Sequence, residues 1–146
     1  RTKLTSTIRR AALGGQDFTS IVRQVGQSLG ADAEASLFRG VGARAVAITR
    51  TEVLRMTSQA TDVRLHQYSE RVPEMRKKWR HSPSDHPRLQ HLQMDGQVAG
   101  VDEMFRVPAT GVELRYPRDP DAGPEETVNC ACVMVPVAPS VLRRAA

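Results

Sequence analysis

From Ala31 to about Glu70 the chain contains no proline and is rich in Ala, Leu, Arg and Glu, which makes a long helix the expected outcome. Leu37, Val41, Ala45 and Ile48 form one apolar stripe. The phase then slips to Val53/Leu54, Met56, Ala60 and Val63, so a bend or break is expected near Gly40/Gly42 or Arg50. Ahead of it, residues 1–13 place Leu4, Ile8 and Ala11/Ala12 at helical spacing, and the Gly14-Gly15 pair stops that helix. Asp17 is a candidate N-cap for a second helix, in which Phe18, Ile21, Val22, Val25 and Leu29 share a face before Gly30 ends it.

The pattern changes at Pro73. Met75, Lys77 and Trp79 alternate with Arg76, Lys78 and Arg80, a period of two that predicts a strand. Ser82 to Asp85 reads as a turn, and Pro87 to Met94 as a short helix ended by Asp95-Gly96. Short strands are expected at Gln97–Val98, Met104–Val107 and Val112–Tyr116, and a stronger final strand from Asn129 to Val135. Between the last two, residues 117–126 (PRDPDAGPEE) read as a polar loop in which Pro and Gly preclude regular structure. The expectation is an α+β fold: N-terminal helices including one long helix, then a small, mostly antiparallel β-sheet. Residues 1–72 would be the helical part and 73–136 the sheet part packed on it as one domain, with 137–146 a C-terminal tail.

With 146 residues the chain can bury a core without staples. No apolar run approaches the ~20 residues of a membrane helix, and two cysteines in a CAC spacing do not make a disulfide scaffold. The chain opens on Arg1 with no charged-then-apolar leader, as an internal or trimmed fragment would. Only 4% is aromatic, which argues against a base-stacking surface. The net charge of +5 is uneven, because residues 102–146 carry more acid than base and the excess lies on the N-terminal two-thirds. That asymmetry suits a partner rich in carboxylates or phosphates, although a solvated helical face is the simpler reading.

Three constellations bear chemistry. Cys130 and Cys132, two apart on an expected strand, would point to one face and could share a zinc ion with His91, His86 or His81. Buried small hydrophobes are the preferred reading of the two thiols. Asp85, Arg88 and His91 repeat every three residues, so one helical turn would gather a carboxylate, a guanidinium and an imidazole. They suit either a general acid–base site or, preferably, a salt-bridged knot holding the turn to the sheet. Trp79 among Arg76, Lys77, Lys78 and Arg80 reads as a core tryptophan with a basic face behind it, the alternative being phosphate contact. The glycines at 40 and 42 lack the context of a dinucleotide loop, and residues 119–121 (DPD) read as turn chemistry.

The ordered series of motifs is more specific than any one of them. A helical lead-in around GGQDFTSIVRQV is followed by ITRTE (Ile48–Glu52), KKW (Lys77–Trp79), then Asp85, Arg88 and His91. MDG (Met94–Gly96), MFRVP (Met104–Pro108), LRYP (Leu114–Pro117) and NCAC (Asn129–Cys132) complete it. From about Arg1 to Val135 the chain resembles the phage Mu protein F-like family of minor head (head morphogenesis) proteins. Where that family usually reads NCRC this chain has Ala131. Where some relatives place a CxxC pair before the DG turn, this chain has Arg88 and His91. The resemblance therefore leaves His91, Cys130 and Cys132 as an incomplete zinc set, and no cofactor is expected.

The resemblance implies a virion component of the phage head, made in the host cytoplasm during assembly. It would act near the portal vertex in head assembly, DNA packaging or ejection, with the portal protein, other head proteins and packaged DNA as partners. No membrane, small-molecule substrate or catalytic residue is expected. Arg50 and Glu52 would form a structural polar latch with Asp85, Arg88 and His91, while Trp79 and Phe105 fill the core between long helix and sheet. The rival readings are a small metal-independent nuclease or toxin-like domain using Asp85, Arg88 and His91, and a plain DNA-binding module.

Overall fold

The structure, a computed structural model, describes residues 2–28, 41–83 and 87–138. It divides into two compact units, Arg1–Met56 and Thr57–Ala146. In the first, α1 (Thr2–Leu13) ends where the expected glycines stand. Gly15 takes φ 71°, its N–H donates to Ala12 O, and the Gln16 N–H donates to Ala11 O, the paired bonds that close a helix on a left-handed residue. Asp17 then caps α2 (Phe18–Ser28), accepting the Ser20 N–H at 3.0 Å. Ile8, Ala11, Ile21, Val25 and Ala45 form the core of this unit, with Leu4, Val22, Ile48 and Val53 packed against it.

Helix α3 (Val41–Ser69) runs through Arg50 without interruption. The break expected there is absent, and Leu37 and Gly40 lie outside the described residues. The phase slip has another cause: α3 serves two cores. Ala45 and Ile48 face the first. Further along, Leu65 is fully buried in the second, while Val63 from the expected stripe is exposed. The division between the two compact units falls within α3.

The second unit is built on β1 (Arg76–Arg80), flanked by β2 (Val98–Gly100) and β5 (Val133–Val137) in an antiparallel sheet of order β2-β1-β5. Between β1 and β2 lies the short helix α4 (Leu89–Gln93). A separate antiparallel pair is made by β3 (Phe105–Arg106) and β4 (Glu113–Leu114), with Phe105 opposite Leu114. Lys77 and Trp79 point inward from β1, as the alternation predicted. Trp79 and Phe105 are both fully buried and meet edge-on, centroids 5.3 Å apart, in a core shared with Leu65, Met94, Leu114 and Met134.

Two expectations about the C-terminal part need correction. The final strand starts at Val133, not Asn129, and runs through Pro136 to Val137. Proline is tolerated because β5 is an edge strand. The segment expected to be an irregular polar loop holds a helical turn, α5 (Pro124–Thr127). It also buries Arg118, Asp119 and Glu126. Proline at the first helical position supplies the required φ and has no N–H to leave unpaired.

Candidate functional site

His91 sits on α4, and α4 is tied to the end of β1 by backbone bonds. Gly96 N–H donates to Trp79 O at 2.9 Å and Trp79 N–H to Gln97 O at 2.8 Å. Asp95 adds a side-chain tie, accepting the His81 N–H at 2.8 Å. These contacts press the imidazole of His91 edgewise on Trp79, with centroids 5.5 Å apart. Its Nε2 lies 2.7 Å from Oε2 of Glu126 on α5, and both side chains are almost wholly sealed from solvent. The other ring nitrogen, Nδ1, faces two sulfurs: Cys130 Sγ at 3.5 Å and Cys132 Sγ at 3.8 Å.

The thiols converge for a reason other than strand alternation, since both precede β5. Asn129 takes φ 55°, turning the chain sharply into the cysteine segment. Arg118 then pins that segment from behind. Its Nη1 donates to the carbonyls of Cys130 at 2.6 Å and Cys132 at 2.8 Å, while Nη2 donates to Ser58 Oγ at 2.7 Å. With both carbonyls drawn toward the guanidinium, the thiols sit against His91. A small, open hollow adjoins them, lined also by His81, Ser82, Arg88, Asn129 and Ala131.

The electrostatics of the cluster are mutual. The Cys130 thiol is held well below its ordinary range, first by its hydrogen bond with Cys132 and then by His91. Cys132, next to that sulfur and buried, is pushed up. Burial disfavours a charged His91, but Cys130 and Glu126 outweigh it and raise the imidazole above 6.5. A thiol of lowered pKa, an imidazole and a carboxylate thus stand next to one another, with a second thiol beside them. The three nearest donors, on His91, Cys130 and Cys132, all lie within 4.8 Å of one another, a spacing that suits one metal ion.

Of the described latch residues in this unit, His91 stands at the centre and Arg88 lines the adjoining hollow. Arg50 is exposed, and Glu52 is paired with Arg55 on its own helix. Arg88 donates to the Val128 carbonyl. Asp85 and His86 lie outside the described residues. His91 takes Glu126 as its partner because α5 delivers a carboxylate directly to its ring. The residues that sequence reasoning missed are Glu126 and Arg118. Gly123-Pro124-Glu125-Glu126 carried a signal, since proline with acidic residues after it marks a helix start. Arg118 carried none.

The sequence profile of the family described as "Phage Mu protein F like protein" matches residues 2–135. Among curated proteins, the chain is 42% identical over 100 residues to "Uncharacterized protein YqbB" of Bacillus subtilis (strain 168), covering 67% of this chain and 31% of that protein. It is 28% identical over 134 residues to "NAD(+)--arginine ADP-ribosyltransferase EFV" of Enterococcus faecalis (strain ATCC 700802 / V583), covering 92% of this chain and 25% of that one. The chain therefore spans a third or less of the length of these relatives. No solved structure matches it significantly.

Proposed function

The chain belongs to the phage Mu protein F-like family, a family of phage head proteins, and from that premise we propose that it is a non-catalytic minor head protein acting in head morphogenesis. Its place is near the portal vertex, where it serves head assembly, DNA packaging or ejection, after synthesis in the host cytoplasm. The observation that carries this reading is the family match over residues 2–135, nearly the whole chain. Among the described residues no helix is long and apolar enough to cross a membrane.

The site chemistry supports a building block. His91, at the centre of the polar cluster, is 1% exposed and bonded to Glu126, so it offers little surface on which to receive a substrate. Arg88, its expected helper, spends a guanidinium nitrogen on a backbone carbonyl. The transferase activity in the name of the Enterococcus relative is a property of that protein, of which this chain spans 25%. A docking face is also available. Arg76 and Arg80, ion-paired at the surface with Glu103 and Asp95, project from β1 about half exposed, beside Val98, Val133 and Val135, each about 40% exposed. Basic groups interleaved with apolar ones suit an acidic portal surface or packaged DNA.

Co-expression with the portal and major head proteins tests the reading, followed by sedimentation of assembled particles. The chain is expected to sediment with portal-containing assemblies. Recovery wholly in the free fraction while heads form normally would overturn the assignment, as would cleavage of RNA or DNA that His91→Ala abolishes.

A further inference from the structure

We propose that His91 Nδ1, Cys130 Sγ and Cys132 Sγ hold one zinc-class divalent cation, with Glu126 as the outer carboxylate that orients the histidine and a fourth position opening on the adjacent hollow. The inference is independent of the head-protein reading and rests on geometry. Tetrahedral zinc binds sulfur at about 2.3 Å and imidazole nitrogen at about 2.0 Å, which puts nitrogen and sulfur donors roughly 3.6 Å apart. The observed separations are 3.5 and 3.8 Å.

Hydrogen bonding alone accounts poorly for this arrangement. One imidazole nitrogen carries one proton and satisfies one partner well, yet two sulfurs converge on Nδ1 at nearly equal distance. The opposite nitrogen is committed to Glu126 at 2.7 Å. That bond fixes the ring so that Nδ1 presents its lone pair to the sulfurs, as outer carboxylates do at metal-bound histidines. Glu126 is itself buried, and among the described residues its Oε1 has no hydrogen-bond partner, so a cation held through His91 would offset a polar group that is otherwise only half satisfied. The Arg118 bonds to both cysteine carbonyls hold the two sulfurs in place before any ion arrives.

The donor set selects the ion. Two thiolates and an imidazole favour zinc over magnesium or calcium, which prefer oxygen. Among the described residues no fourth His, Cys, Asp or Glu joins the group, which leaves the fourth position facing His81, Ser82 and Asn129 across the hollow. The rival is a reactive thiolate, with Cys130, His91 and Glu126 resembling a nucleophile, base and orienting acid. Burial argues against it: Cys130 is 2% exposed, and a second thiol occupies the space beside it.

The test uses the whole chain, reduced, stripped with chelator and then titrated with Zn²⁺ or Co²⁺. One ion per chain is expected after gel filtration. The cobalt form should show tetrahedral visible bands together with a sulfur-to-cobalt charge-transfer band. Glu126→Gln should keep that spectrum while weakening the metal about 10–100-fold. Zn²⁺ should also protect both thiols from alkylation in the wild-type chain, a readout that needs no variant to fold. Substoichiometric uptake, or cobalt binding without the sulfur band, would overturn the proposal. So would rapid alkylation of Cys130 unaffected by Zn²⁺, which is the signature of the reactive-thiolate rival.

Discussion

Arg118 donates to the main-chain carbonyl of Cys130 at 2.6 Å, from a side chain that is 1% exposed. The same guanidinium holds the Cys132 carbonyl and the Ser58 hydroxyl, so one buried cation organises the cysteine segment and links it to α3. Arg118→Met should therefore leave three acceptors without their donor and cost about 3 kcal/mol or more. Arg118→Lys should recover little, because an ammonium lacks the planar fork that reaches two directions at once. Urea unfolding of the two variants measures this. A loss below about 1 kcal/mol for Arg118→Met would remove Arg118 from its organising role.

Trp79 is fully buried between His91 and Phe105, and its indole N–H faces the Cys132 thiol. Its contribution is chiefly packing. Trp79→Ala should cost about 3–5 kcal/mol, and Trp79→Phe clearly less, because the ring contacts survive in part and only a weak bond to sulfur is lost. Equal losses for the two variants in chemical denaturation would show that the indole nitrogen matters after all.

Local signals made the framework legible. Gly14-Gly15 and Asp17 marked the α1–α2 turn because their effects are confined to neighbouring residues. The alternation around Trp79 marked β1 because strand geometry forces it. The partners of the site were harder to see. Arg118 reaches Cys130 twelve positions away and Ser58 sixty away, and nothing near Arg118 in the chain encodes either distance. Cys130 and Cys132 were rightly expected to share a face, but a positive φ at Asn129 and the pull of Arg118 achieve it, not strand alternation. Glu126 was hidden inside a segment whose Pro and Gly suggested an irregular polar loop, although one of the prolines starts a helix.

Lys77 is an unusual occupant of a core. It is 2% exposed, its Nζ donates to the Arg115 carbonyl at 3.0 Å, and it lies 5.4 Å from the Phe105 ring centroid. Burial holds its pKa below 10.5, against the pull of Asp62 and other acids. Lys77→Met removes the desolvated charge and keeps the aliphatic volume, so stability should stay within about 1 kcal/mol of wild type. Lys77→Ala should fall about 2 kcal/mol further, since the same charge is lost together with the packing of the stem. Thermal unfolding of the two variants at equal ionic strength decides the matter. An Ala variant as stable as the Met variant would mean that the stem fills no needed space.

Asp119 should set part of the acid limit of stability. Its carboxylate accepts the Arg115 N–H at 2.8 Å, Arg115 Nε at 2.9 Å and Nη2 at 2.7 Å, and the Asp121 N–H at 3.1 Å. Burial works against the ion, but these donors outweigh it and hold the carboxyl below its usual 3.8. Because the folded value is the lower one, the unfolded chain takes up the proton first. The stabilisation is then fully present above pH 3.8 and is lost as the pH falls through the folded-state value. Asp62, which burial pushes up, acts in the opposite sense, so the informative quantity is the difference between wild-type and Asp119→Asn unfolding curves. Near neutral pH the variant should be about 1.5 kcal/mol less stable. This is the low end for charge-assisted bonds, because the Arg115 side chain is 41% exposed. That gap should narrow steadily on acidification; a gap independent of pH would show that the Asp119 charge contributes nothing and that only the shape of the turn matters.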